Sequence, residues 1–125
     1  MESTHDFDAT TSRLETAIEE QGLTLVTTID HAANAANADL ALAPTTLFVF
    51  GNPQVGTPLM QSARTIALDL PQKMLVWEDA AGDVFVSYRD PVALAADHGL
   101  ASDAGALPNV ANLLGRLARS AAGIE

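Results

Sequence analysis

Thr45-Thr46-Leu47-Phe48-Val49-Phe50, running straight into Gly51-Asn52-Pro53-Gln54-Val55-Gly56-Thr57-Pro58, is the stretch on which the fold turns. Its first half lacks polar alternation, the pattern of a strand buried on both faces and so central in a sheet. Its second half is punctuated by Gly, Asn and Pro and reads as a loop. Thr57-Pro58 then opens a helix, with Thr57 as N-cap and Pro58 at the first helical position, where the missing N–H has no partner to lose. Leu59, Ala63, Ile66 and Leu70 recur on its inner face, Asp69 lies near its end, and Pro71 stops it.

C-terminal to this stretch, Lys73 to Glu78 reads as a third strand and Asp83 to Tyr88 as a fourth. Asp79-Ala80-Ala81-Gly82 makes the tight turn between them, with Gly82 suited to positive φ. Val84 and Val86 share one face of the hairpin, Phe85 and Ser87 the other. Asp90-Pro91 starts a short helix to about His98, ended by Gly99. A last helix begins at Pro108 and carries Val110, Leu113, Leu114 and Leu117 on one face.

N-terminal to it, Phe7, Thr11, Leu14 and Ile18 recur at helical spacing, so a helix is expected from about Asp8 to Gln21. Asp6 or Asp8 caps its start, and Gly22 stands where a left-handed residue closes a helix. Leu23 to Ile29 alternates apolar residues with threonine, as a half-buried strand does. Asp30 then caps a short alanine-rich helix reaching about Asp39. The expected fold is α+β with two layers: a sheet of about four strands with helices on one face, in the order αββαββαα. One domain, 1–125, is expected, with its core at about 7–91 and a helical tail at 92–125.

Charge narrows the function. The 125 residues hold 16 acidic side chains against 6 basic ones, a formal net charge of -10. Nucleic acids and anionic membranes are bound through clustered Lys and Arg, so neither partner is expected. There is no cysteine, which removes disulfides, thiolate nucleophiles and cysteine-ligated metals. Met1 to Asp6 lacks the basic start and apolar stretch of a signal peptide, and no apolar run nears the roughly 18 residues of a membrane span. A cytoplasmic protein is expected. A single lysine, Lys73, ten Asp to six Glu, and many alanines also resemble the acidic surfaces of proteins from salt-loving organisms.

The spacing Gly51 to Thr57 resembles a phosphate-binding loop without its lysine. That lysine is the point charge on the terminal phosphates, so nucleotide hydrolysis is not expected. Two readings remain: free N–H groups at the helix start hold a small anion, or the turn merely positions the helix. His5, His31 and His98 each adjoin an Asp, but neighbours along an element diverge, and no metal-chelating spacing occurs. Neither a metal nor a cofactor is expected. His31 follows a strand and opens a helix, a place where function gathers. An imidazole is suited to general acid–base work there.

Taken together, Ile29-Asp30-His31-Ala32, Phe50-Gly51-Asn52-Pro53, Gly56-Thr57-Pro58-Leu59-Met60, Leu68-Asp69-Leu70-Pro71, Val76-Trp77-Glu78-Asp79 and Ser87-Tyr88 resemble a bacterial and archaeal family known as domain of unknown function 302. The resemblance covers about Phe7 to Pro91. It implies a small α+β domain and a homodimer. Family members begin with a further strand before the first helix. Only six residues precede Phe7 here, so that strand is expected to be very short or missing.

The function expected is therefore a homodimeric binding module for a small ligand, anionic if the loop N–H groups hold it. Its pocket would be built from Asn52, Gly56, Thr57, Met60 and His31. An alternative is an enzyme using His31 as general acid or base, assisted by Asp30 or Asp69. A third is an interaction dimer without a ligand.

Overall fold

Residues 1–124 are described by the computed structural model. The elements run α1 (Phe7–Glu20), β1 (Thr24–Asp30), α2 (His31–Asn37), β2 (Thr45–Gly51), α3 (Pro53–Ser62), a 3-10 segment (Arg64–Leu68), β3 (Gln72–Glu78), β4 (Val84–Ser87), α4 (Pro91–Ala96) and α5 (Leu107–Ala122). The four strands form one antiparallel sheet in the order β1-β2-β3-β4. The architecture is α+β, as the hydrophobic patterning predicts.

The central position of β2 explains its unbroken apolar run. Phe48 and Phe50 face the helices and are 3% and 1% exposed, while Val49, on the opposite face, is 7% exposed. Met74 and Val76 of β3 and Val84 and Val86 of β4 join Phe48 and Phe50 in the main core. Leu14, Ala17 and Ile18 of α1 close it from above, with Val110, Leu114, Leu117 and Ala118 of α5. Each fully buried Leu of that set contributes roughly 1.5–3 kcal/mol through apolar burial. On the other sheet face Leu47, Leu75, Trp77 and Phe85 are only partly buried, and the Trp77 and Phe85 rings stack at 4.8 Å.

The caps account for the ends of α1. Asp6 accepts a hydrogen bond from the Ala9 N–H. After Glu20 the chain closes with Gly22 at φ +70. The Gly22 and Leu23 N–H groups donate to the Glu19 and Ile18 carbonyls, the paired bonds of a glycine-closed helix end. The buried stripe is Thr10, Leu14, Ala17 and Ile18, so Thr10 replaces the expected Thr11. Thr10 can be buried because its hydroxyl donates to the Asp6 carbonyl and also pairs with the Ser3 hydroxyl, each at 2.7 Å.

The segment before α1 is a very short strand. Glu2 pairs with Phe85 in one antiparallel bridge, and backbone bonds join Met1 to Val86 and Ser3 to Val84. These bonds occupy the edge of β4, whose free N–H and C=O groups would otherwise invite pairing with another chain. In β1 the register slips between Leu25 and Thr27. Val26 is therefore a bulge residue, outside the ladder and 58% exposed.

The largest departure from the sequence reading is at α3. The helix starts at Pro53, not Pro58, and Asn52, not Thr57, is its N-cap, accepting from the Gln54 N–H at 3.0 Å. Asn52-Pro53 and Thr57-Pro58 are the same start signal repeated five residues apart, and the chain uses the first. Pro58 consequently lies inside the helix, where its ring nitrogen cannot donate to the Gln54 carbonyl. The helix is not continuous to Leu70 either. Ala63 is extended (φ -146, ψ 95), and a 3-10 segment follows. Leu59 and Ile66 still point inward, at 3% and 1% exposure, in a second small core with Ala95 and Leu107.

Candidate functional site

β1 begins, β2 ends and β3 begins at one end of the sheet, since Thr24 pairs with Gly51 and Phe50 with Gln72. A cleft of about 540 Å³ opens there, within the size range of small-molecule sites. One wall is α3, through Pro53, Val55, Gly56, Thr57, Leu59 and Met60. The opposite wall is α5, through Asn109, Val110, Leu113, Leu114 and Arg116. Leu70-Pro71-Gln72 closes one side, and Gln21, Leu23, Thr24 and Val26 form the rim beside β1. Phe50 and Gly51 lie at the base. The bulge in β1 is what frees Val26 to face this space.

Local chemistry explains how each wall is held. The N-cap at Asn52 fixes where α3 leaves β2. Gly56 has room for a methyl group, since an added Cβ would stand 3.6 Å from Leu70 Cδ1 and 3.9 Å from Met60 Cε. On α5, Asn109, Leu113 and Arg116 follow a spacing of four and then three residues, so they form one stripe along the helix. The neighbouring stripe, Val110, Leu114 and Leu117, is buried in the core.

Four of the expected ligand-binding residues, Asn52, Gly56, Thr57 and Met60, border the cleft. His31 does not. It is the exposed first residue of α2, at the far end of β1. The six residue steps of β1 at about 3.3 Å alone put it at least roughly 20 Å along the strand from the Thr24 end. Asp30 is the N-cap of α2 and accepts from the Ala33 N–H at 2.9 Å. Asp69 is not near His31: its Oδ2 stands 2.6 Å from His98 Nε2. The expected grouping of His31 with the Asn52–Met60 segment, or with Asp69, is therefore not assembled, because the antiparallel register sends His31 and Gly51 to opposite ends of the sheet.

The 51–56 segment is the end of β2 and the start of α3. Its helix-start donors are held by the protein itself. Asn52 Oδ1 takes the Gln54 N–H, and the Asn52 carbonyl takes the Val55 and Gly56 N–H groups at 2.9 and 3.0 Å. Pro53 has no N–H at all.

A second cluster escaped the sequence reading. His98 Nδ1 lies 2.9 Å from the Thr65 hydroxyl while Nε2 contacts Asp69. A hydroxyl, an imidazole and a carboxylate in line is the order used in nucleophilic hydrolysis. None of the three borders the cleft, and the same contacts tie the 3-10 segment to the end of α4. Asp97-His98-Gly99 marked a helix end in the sequence, but nothing there indicated which element it would meet. Among the described residues no group of three metal-ligating side chains occurs, and no helix is long and apolar enough to cross a membrane.

A family model described as "Domain of unknown function DUF302" matches residues 1–119. The match extends well into α5, beyond the Pro91 limit of the motifs. In three dimensions the chain is similar to an uncharacterized conserved DUF302 protein from Bacillus stearothermophilus. The TM-score is 0.85 at 14% identity, over 97% of this chain and 94% of that one. In sequence it is 47% identical over 105 residues to fluoride-specific ion channel FluC 1 of Brucella suis biovar 1 (strain 1330), covering 82% of this chain and 41% of that protein. The FluC 1 protein of Brucella abortus biovar 1 (strain 9-941) matches at the same identity, with 39% of its length covered. The chain thus spans about two-fifths of the length of these curated relatives.

Proposed function

The chain belongs to the DUF302 family, and from that premise we propose that it is a binding module that takes a small, largely apolar molecule into the cleft between α3 and α5. The observation that carries this reading is the lining. Leu59, Leu70, Val110, Leu113 and Leu114 present apolar surface around 540 Å³, with a few polar groups at the rim, the usual make-up of a small-molecule site. A homodimer is part of the proposal. The partly buried Leu47, Leu75, Trp77 and Phe85 on the sheet face away from α1 and α5 are its support, together with the resemblance noted above. The protein would act in the cytoplasm.

The test uses 1-octanol as probe, followed by amide chemical shifts. Shifts are expected at Gly51, Gly56, Leu70 and Leu113 and not at Gly82 in the far hairpin turn. No shift at millimolar octanol, or shifts spread evenly over the chain, would end the pocket reading. Light scattering on the same sample reads the dimer, and a monomer mass at tens of micromolar would remove that part.

A second reading comes from the FluC relatives. Those proteins carry a segment 47% identical to this chain in about two-fifths of their length. We propose that the domain works beside a fluoride channel, supplying a ligand-responsive or stabilising part outside the membrane. Co-purification of this chain with a fluoride channel from the same organism tests it. Absence of the channel from the eluate, with the chain itself recovered, would count against it.

A further inference from the structure

The head group of the ligand is legible in the charge of the cleft. Sixteen acidic side chains against six basic ones should scatter carboxylates over every surface of this chain. Yet among the described residues no acidic side chain borders the cleft, and the one charged group that does is the Arg116 guanidinium. Arg116 makes no ion pair and no side-chain hydrogen bond within the described residues. The rim side chains Gln21, Thr24 and Asn109, which also border the cleft, make none either. An unpaired guanidinium at the edge of an apolar cavity is a fork of donors without an acceptor.

Resting on the pocket reading, we propose that the cleft takes an amphipathic monocarboxylate, its alkyl chain between α3 and α5 and its carboxylate on Arg116. A single cation suits a monoanion. A phosphate monoester, with close to two charges, would need a second cation, and among the described residues none borders the cleft. Planar two-point pairing with a carboxylate is what guanidinium geometry favours. The apolar wall through Leu113, one turn before Arg116 on the same helical stripe, leads from the charged end to the interior. The Gln54, Val55 and Gly56 amides play no part, because Asn52 oxygens already hold them.

Octanoate and 1-octanol, matched in chain length, separate head group from tail by calorimetry on the full chain. Octanoate is expected to bind roughly fivefold tighter than octanol, the scale of a partly solvated guanidinium–carboxylate pair. Raising KCl should shrink that ratio, and Arg116→Gln should bring it to about one while octanol affinity stays unchanged. Arg116→Lys should restore part of the preference. Because octanol binding reports an intact cleft, a misfolded variant is recognised at once. Equal affinity of the two probes, or an Arg116→Gln protein that still prefers octanoate, overturns the carboxylate proposal and leaves the pocket standing. Failure of both probes removes both readings.

Discussion

Replacing Thr57 by Ala should stabilise this protein, although the sequence pattern Thr57-Pro58 marks that residue as a helix cap. In the structure Thr57 is an exposed residue in the body of α3. There Thr→Ala improves helix propensity by roughly 0.5 kcal/mol. Were Thr57 the N-cap, the same change would cost about 1 kcal/mol. The sign of the effect therefore reports where the helix begins. Asn52→Ala removes the acceptor of the Gln54 N–H and should cost about 1 kcal/mol, with Asn52→Asp close to neutral. Gly56→Ala places its methyl group in ordinary contact with Leu70 and should gain roughly 0.5–1 kcal/mol, because alanine has less conformational freedom to lose from the unfolded chain. For 125 residues 1 kcal/mol moves the midpoint by roughly 3–5 °C. Thermal unfolding followed by circular dichroism should thus order the variants Asn52→Ala, wild type, Thr57→Ala, Gly56→Ala from least to most stable. A Thr57→Ala protein that melts several degrees below wild type would refute a helix start at Pro53, and with it the shape of the α3 wall.

Gly123, at φ +72 after α5, would direct an added Cβ into the Thr4 hydroxyl and the His5 ring. Gly123→Ala should therefore cost at least the roughly 1–2 kcal/mol of a left-handed non-glycine residue, and chemical denaturation reads it. A double-mutant cycle on Asp69→Ala and His98→Ala should give a coupling of roughly 0.5–1 kcal/mol, whereas additive effects would mean that the 3-10 segment and α4 are not tied by this contact. The acidic composition predicts that the unfolding midpoint holds or rises as KCl approaches molar levels, and a fall would show that the acidic surface is not an adaptation to salt.

Much of the fold was written in local patterns. The continuous Leu47-to-Phe50 run pointed to a central strand, and the alternation of Val84 and Val86 with Phe85 and Ser87 assigned the faces of β4. Asp6, Asp30 and Asp90 cap helices where their short carboxylates stand just before a helical stripe. The candidate site was only half legible. Asn52, Gly56, Thr57 and Met60 lie on one continuous stretch, so wherever that stretch goes they go together. Arg116 is some 60 residues away, and nothing local says which residue of α5 will look across at α3.

What the chain decides by itself is whatever depends on neighbours within a few residues: helical stripes, caps, turns and the burial of β2. What tertiary structure decided is everything set by register and competition. Two equal start signals, Asn52-Pro53 and Thr57-Pro58, cannot be ranked without the surface that Leu59 and Ile66 must reach. Strand pairing placed His31 and Gly51 at opposite ends of the sheet, and the meeting of the 3-10 segment with the end of α4 brought Asp69 to His98 rather than to His31. These are long-range contacts whose free energy appears only when distant segments meet, so no local pattern could record them.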